Sequence, residues 1–209
     1  MARAKIFIDF WNFTLRWNER AADPTTNQPR KCDWKKLPRG LIRHAQRIIT
    51  EAGLPDQLLL DETRVYCSAN SKSEKDAKLC NWLETFLDRL PSVLVFRRER
   101  RSIARSLYCS SCDSLITQCP KCGKMIKTAP EKGVDAAIVT DLFSLAWEKA
   151  YDVAILLSSD ADFIPAVTRL QEKGIKVINA TWLQHGHDLA KQCWASFNLD
   201  DLVEEIVRA

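Results

Sequence analysis

The sequence predicts an α/β protein: a three-layer α/β/α sandwich around a mostly parallel, five-stranded sheet, with one small insertion. Three observations carry this. Short apolar runs alternate with amphipathic stretches of helical period along most of the chain. One run, 152–157 (DVAILL), is apolar almost throughout, as a strand covered on both faces must be. The alternation is interrupted once, by a basic cysteine-rich segment over 97–130, and then resumes.

The elements follow in order. Residues 5–10 (KIFIDF) read as a buried first strand. Residues 18–36, with Pro24, Pro29 and scattered charge, read as a surface loop. A helix over 37–52 places Leu41, Ile42, Ala45, Ile48 and Ile49 at helical spacing, and Gly53 stops it. A second strand covers 64–69. A helix over 72–90 turns Leu79, Trp82, Leu83, Phe86 and Leu87 to one face and ends at Pro91. The third strand is 92–96. Beyond the cysteine-rich segment come a helix over 134–150, the apolar strand 152–157, a helix over 161–173 closed by Gly174, and a fifth strand over 175–180. Two terminal helices are expected over 187–195 and 199–208. Trp82 and Trp147 fall at apolar helix positions and are expected in the core.

A chain of 209 residues can bury one sizeable core, so it is read as a single domain over 1–209 carrying an inserted module at 98–130. A net charge of +4 permits a polyanionic partner without requiring one. No stretch approaches the roughly 18 to 20 apolar residues that span a bilayer, so no membrane-spanning helix is expected. Eight cysteines without a signal peptide point to metal ligands and buried thiols rather than a secreted disulfide scaffold, and the expected location is the cytoplasm.

In an open parallel sheet, ligands bind beyond the carboxyl ends of the strands. Asp9 ends the first strand, Asp160 and Asp162 directly follow the fourth, and Asp135 opens the helix after the insertion. Carboxylates gathered on one rim repel one another unless a cation neutralises them. Hard oxygen donors suit Mg2+ or Mn2+, which can activate water for attack on phosphorus. An aspartate after a strand also serves as a helix N-cap, and that reading stands beside the catalytic one for Asp160 and Asp162. Asp141 lies six residues beyond Asp135, off its helical face.

These residues sit in runs that resemble a known family. Ile6-Phe7-Ile8-Asp9-Phe10-Trp11-Asn12 resembles the opening D-x-x-N motif of NYN domains. Lys132-Gly133-Val134-Asp135, continuing to Asp141, is similar to that family's KGVD…D motif. Tyr151-Asp152 with Ser158-Ser159-Asp160-Ala161-Asp162-Phe163 is similar to its third motif, although Ser159 and Ala161 replace the usual glycine and serine. The resemblance implies a PIN-like fold and Mg2+- or Mn2+-dependent cleavage of RNA. Asp9, Asp135, Asp160 and Asp162 would hold the metal or activate its water. Asn12 would orient substrate or metal-bound water, and Asp141 would be an additional or supporting ligand.

The insertion has its own chemistry. Cys109-x-x-Cys112 and Cys119-x-x-Cys122 form two knuckles six residues apart, a spacing that suits one structural Zn2+. Gly123 permits the tight turn behind the second knuckle. Disulfides or free thiols are the alternative. Between residues 97 and 127 eight basic residues face two acidic ones, so the rest of the chain is slightly acidic. Arg97, Arg98, Arg100, Arg101, Arg105, Lys121 and Lys124 are therefore candidate contacts to nucleic-acid phosphates, and Trp11 is the candidate base-stacking platform. A solvated charged hairpin is the bland counterpart.

The expected function is a metal-dependent endoribonuclease with RNA as partner; the sequence leaves a homodimer open. The alternative is a catalytically silent RNA-binding regulatory module of the same fold. Phosphatases with D-x-D after strand one fit less well, since Asp9-Phe10-Trp11 lacks the second aspartate.

Overall fold

The computed structural model describes residues 1–23, 25–54, 57–128 and 130–208. The sheet has six strands, all parallel: β1 (Ala2–Asp9), β2 (Leu58–Ala69), β3 (Val93–Glu99), β8 (Val153–Leu157), β9 (Lys176–Thr181) and β10 (Ala195–Asn198). Their order is β10-β9-β8-β1-β2-β3. The chain therefore starts at the centre, winds outward to β3, and returns to the other side of β1 to build the second half. The switch point of strand order lies between β1 and β8.

Every side chain of β8 is buried, and Ile6, Phe7 and Ile8 of β1 have no exposed surface. Both central strands are thus covered on two faces. One face packs against α1 (Phe10–Arg20), α2 (Leu37–Glu51), α3 (Glu74–Thr85) and α7 (Val203–Ile206); Phe13, Leu41, Leu83 and Ile206 meet Ile6, Ile8 and Ile155 there. The other packs against α4 (Val134–Trp147), α5 (Ile164–Glu172) and α6 (Leu183–Gln192), through Ile138, Val167 and Leu189 against Phe7, Tyr66 and Leu156. The three-layer expectation holds.

Three local expectations are corrected. The sheet has six strands rather than five. The sixth, β10, falls between the two expected terminal helices and takes only Ala195 from the first, because Cys193 leaves the helix with extended backbone and Ala195–Asn198 pairs with β9. Residues 199–208 form a 3-10 turn and the single-turn helix α7 rather than one long helix. Trp147, expected inside, is 90% exposed at the last residue of α4. The helix α1 begins at once after β1, with Phe10, Phe13 and Trp17 inward.

The segment between β3 and α4 folds as two small antiparallel pairs. β4 (Ile103–Ala104) pairs with β7 (Lys127–Thr128), and β5 (Leu107–Cys109) with β6 (Ser114–Ile116). No described residue from 101 through 128 is buried. Among the described residues, no helix is long and apolar enough to cross a membrane.

Candidate active site

The site forms at the carboxyl ends of β1 and β8, beside the switch point. Asp9 ends β1 and caps α1: its Oδ1 accepts the backbone N–H of Asn12 at 3.1 Å. Asp160 follows β8 and caps a 3-10 turn, its Oδ1 accepting the N–H of Asp162 at 2.9 Å. The capping role foreseen for this pair of aspartates is thus filled by Asp160, while Asp162 lies within the turn and is exposed. Each cap fixes a carboxylate at a strand end, so capping and site-building are one arrangement.

The two strand ends are tied together. Asn12 Oδ1 accepts the backbone N–H of Ser159 at 2.9 Å, and the Ser158 hydroxyl bonds the N–H of Asp160 at 3.2 Å while lying 3.5 Å from Asp9 Oδ2. Ser159 Oγ is 2.7 Å from Thr181 Oγ1 on β9. Gly186, in α6, presses on this contact. A Cβ there would overlap Thr181 Oγ1 and lie 3.0 Å from Ser159 Cα. The neighbouring His185 and His187 point outward and are exposed.

Asp9 is only 6% exposed. Burial pushes its carboxyl up to about 7, opposed by the Asn12 N–H and reinforced by the negative charges of Glu131, Asp135 and Asp160. Asp135, in the first turn of α4, is also raised, by burial and then by Asp160 and Asp162. Asp9, Asp135, Asp160 and Asp162 therefore occupy one electrostatic neighbourhood. Among the described residues, no three His, Cys, Asp or Glu side chains close into a ready-made metal cage. The donor chemistry still fits a hard divalent cation: several carboxylates, one of them buried, raise each other's affinity for positive charge.

Glu131 was missed by sequence reasoning. It stands immediately before the KGVD run, accepts a hydrogen bond from Ser68 Oγ at 3.0 Å, and is raised by burial against the pull of Ser68 and Arg100. Its one sequence signal was its spacing, four residues before Asp135.

Asp141 is not brought to this cluster. Its Oδ2 accepts from Arg64 Nη1 at 2.6 Å and from the Tyr66 hydroxyl at 2.7 Å. Arg64 in turn bonds Glu62 at 2.6 Å, and Glu62 lies 2.9 Å from the Nζ of buried Lys5. This ladder runs beneath α4, about 9 Å along the helix axis from Asp135.

The basic residues divide. Arg97 turns to the opposite face, toward Glu84 and Glu99. Arg100 folds over the site rim: its guanidinium bonds Ser68 Oγ at 2.9 Å and lies 5.0 Å from the centre of the Trp11 ring, whose indole N–H donates to the Ser68 carbonyl at 2.7 Å. Trp11 thus already carries a cation. Arg98, Arg101, Arg105, Lys121 and Lys124 are exposed, and no ion pair engages them among the described residues.

The four cysteines of the insertion form two separate pairs, Cys109 with Cys112 and Cys119 with Cys122. The Cys109 thiol is held below its usual range by the Cys112 side chain and by the backbone N–H groups of Ser111 and Cys112. That of Cys119 is lowered by the N–H groups of Cys122 and Lys121 and by the Cys122 side chain. Gly123, which follows the second knuckle, has φ +66°, and Asp113, at the equivalent place in the first, has φ +54°. The two knuckles have the same turn.

The NYN domain family model matches residues 3–200. The chain belongs to the NYN domain family. That family is PIN-like and its members are typically nucleases. No curated protein matches this sequence. Among solved structures, the NYN chain resembles a Vibrio parahaemolyticus protein of unknown function, with a TM-score of 0.55 at 18% identity, covering 96% of this chain and 94% of that one. At that identity the likeness concerns the fold.

Proposed function

We propose that this NYN domain is a metal-dependent endoribonuclease whose catalytic group is Asp9, Asp135, Asp160 and Asp162, with Glu131 at its edge. The observation that carries the reading is the buried Asp9 carboxyl, pushed up to about 7 where three further carboxylates converge beside the switch point. A bound Mg2+ or Mn2+ would supply charge neutralisation and an activated water. The chain's own part is then positional. Asp9 and Asp160 are held by their caps, Asn12 keeps the two strand ends in register, and Arg100 offers positive charge to a phosphate at the rim.

The same reading makes residues 98–130 an inserted module that grips RNA and is organised by Zn2+ on Cys109, Cys112, Cys119 and Cys122. What supports this is the matched pair of knuckles, each with backbone N–H groups directed at its first sulfur, in a segment where no described residue is buried.

One observation favours a silent RNA-binding module instead: Asp9 and Asp160 both have structural employment as caps. A single experiment separates the readings. Purified protein is incubated with labelled single-stranded RNA, structured RNA and DNA, with and without Mn2+, beside Asp160→Asn. Metal-dependent cutting of RNA that the variant lacks supports the nuclease; retention without cutting supports the silent module.

A further inference from the structure

Beside the acidic cluster, between the edge strand β3 and the start of α4, runs an open groove of about 700 Å3. Its floor is aromatic. Phe96 stacks on Tyr66, its partner in the strand register, with ring centres 5.1 Å apart and planes 17° apart. Phe96 is partly buried against the core, and because β3 is the outermost strand no neighbouring strand covers its far side. The Arg64 guanidinium, paired with Glu62 and Asp141, lies 4.9 Å from the centre of the same ring.

The rim of the groove is cationic. Arg98 alternates onto the same sheet face as Phe96, and Lys132 approaches from the loop leading into α4. Both are exposed, and among the described residues neither has an acidic partner. The one carboxylate in the groove, Asp141, is already neutralised by Arg64 and Tyr66. An aromatic floor under two free cations complements a base and its phosphate.

The groove also leads to the acidic cluster. Lys132 follows Glu131 directly, and Arg98 is in register with Ser68, whose hydroxyl holds Glu131. We propose that this groove is a nucleotide subsite next to the cutting position: it takes one base of single-stranded RNA against Phe96 and the adjoining phosphate between Arg98 and Lys132. The proposal rests on the nuclease reading for the identity of the strand, but the occupancy of the groove is tested without cleavage.

The test measures binding of a short single-stranded RNA carrying one 5-iodouridine to the Asp160→Asn protein. Irradiation is expected to cross-link the base to the peptide containing Phe96. Phe96→Ala should weaken binding about tenfold, in the range for one stacked base, and Phe96→Tyr should restore it. Arg98→Ala and Lys132→Ala should each lower the slope of log affinity against log salt by about 0.7. Both sites are exposed, so these two variants keep the test valid if Phe96→Ala fails to fold. Affinity within twofold of the parent for all folded variants, cross-linking elsewhere, or no RNA binding at all overturns the subsite. Wild-type cleavage in Mn2+, measured alongside, reports on the nuclease reading separately: its absence with the binding pattern intact leaves the subsite standing.

Discussion

Asn12 joins the two halves of the sheet: its Oδ1 receives the N–H of Ser159 after β8, while its own N–H is received by Asp9 after β1. One residue in the first turn of α1 thereby fixes the separation of two carboxylate-bearing strand ends. Asn12→Ala keeps the helix but loses the tie to Ser159. We expect a 10- to 100-fold loss in cleavage rate, roughly the effect of a misplacement near 1 Å, for a stability loss of only about 1 kcal/mol. Single-turnover rates beside thermal melts test this, and an unchanged rate would mean the loop is held by other contacts.

Asp160 and Asp141 are expected to part company. Asp160→Asn preserves the cap acceptor and should abolish cleavage with little change in melting temperature. Asp141→Asn should do the reverse: it weakens the pairing of Arg64, which is largely buried, and costs about 1–3 kcal/mol with the rate within a fewfold of the parent. Denaturant melts and initial rates on both variants decide it. A dead but fully stable Asp141→Asn would move that residue into the catalytic group.

The raised carboxyl of Asp9 sets a pH dependence. Its folded pKa, about 7, lies above the ordinary 3.8, so the folded state binds the extra proton between those values. Stability from this group is therefore highest below about pH 4 and falls as pH rises through 7. In metal-free buffer the protein should melt higher at pH 5.5 than at pH 8. Asp9→Asn should be less pH-sensitive and more stable than the parent at pH 8, by on the order of 1–3 kcal/mol after allowance for relaxation. Asp135 and Glu131 shift the same way and add to the slope. A wild type that melts higher at pH 8 contradicts this.

The proposed zinc site carries its own prediction: if Zn2+ organises the insertion, its removal should undo that segment and spare the sheet. With no buried residue from 101 through 128, that segment has little apolar packing to fall back on. Metal analysis should find about one zinc per chain. A strong chelator, or Cys119→Ser, should open the segment to trypsin at its arginines and lysines without moving the main melting transition. Zinc-free protein that resists trypsin as well as the parent would sink this assignment.

Gly186→Ala tests the support behind the β8 loop. The added methyl overlaps Thr181 Oγ1 and crowds Ser159 Cα, which belongs to backbone and cannot rotate away. A loss of about 1–3 kcal/mol is expected. Because Ser159 precedes Asp160, the rate should fall as well. Gly186→Ala combined with Thr181→Ala should recover part of both, as seen by melts and rates on the pair.

Much of this was legible in the sequence, for physical reasons. The strands around Ile6, Ile155 and Ile178 are apolar on both faces, and no other element tolerates that pattern at such lengths. The aspartates at strand ends were visible for the same reason. The helix α1 was not foreseen, although Phe10, Phe13 and Trp17 have its spacing, because the polar loop that follows obscured its end. The early part of β2 was hidden because Asp61 and Glu62 look like surface; both pair with buried Lys5, and only Glu62 is partly drawn in. β10 is four residues long and depends on its neighbour β9 rather than on its own pattern. Trp147 read as core because it is apolar, but it lies nine residues, two and a half turns, beyond buried Ile138 and so on the opposite face of α4. The equivalence of Asp113 to Gly123 needed the backbone angles.

The pairing of Ile103 with Thr128 brings the outgoing and returning chain side by side before the cysteine hairpins begin. A segment whose two ends already touch behaves as a cassette: it can be exchanged or shortened without altering the distance the sheet must span. An engineer could use the same junction, closing residues 104 and 127 with a tight turn, to ask how much of RNA selection travels with the graft.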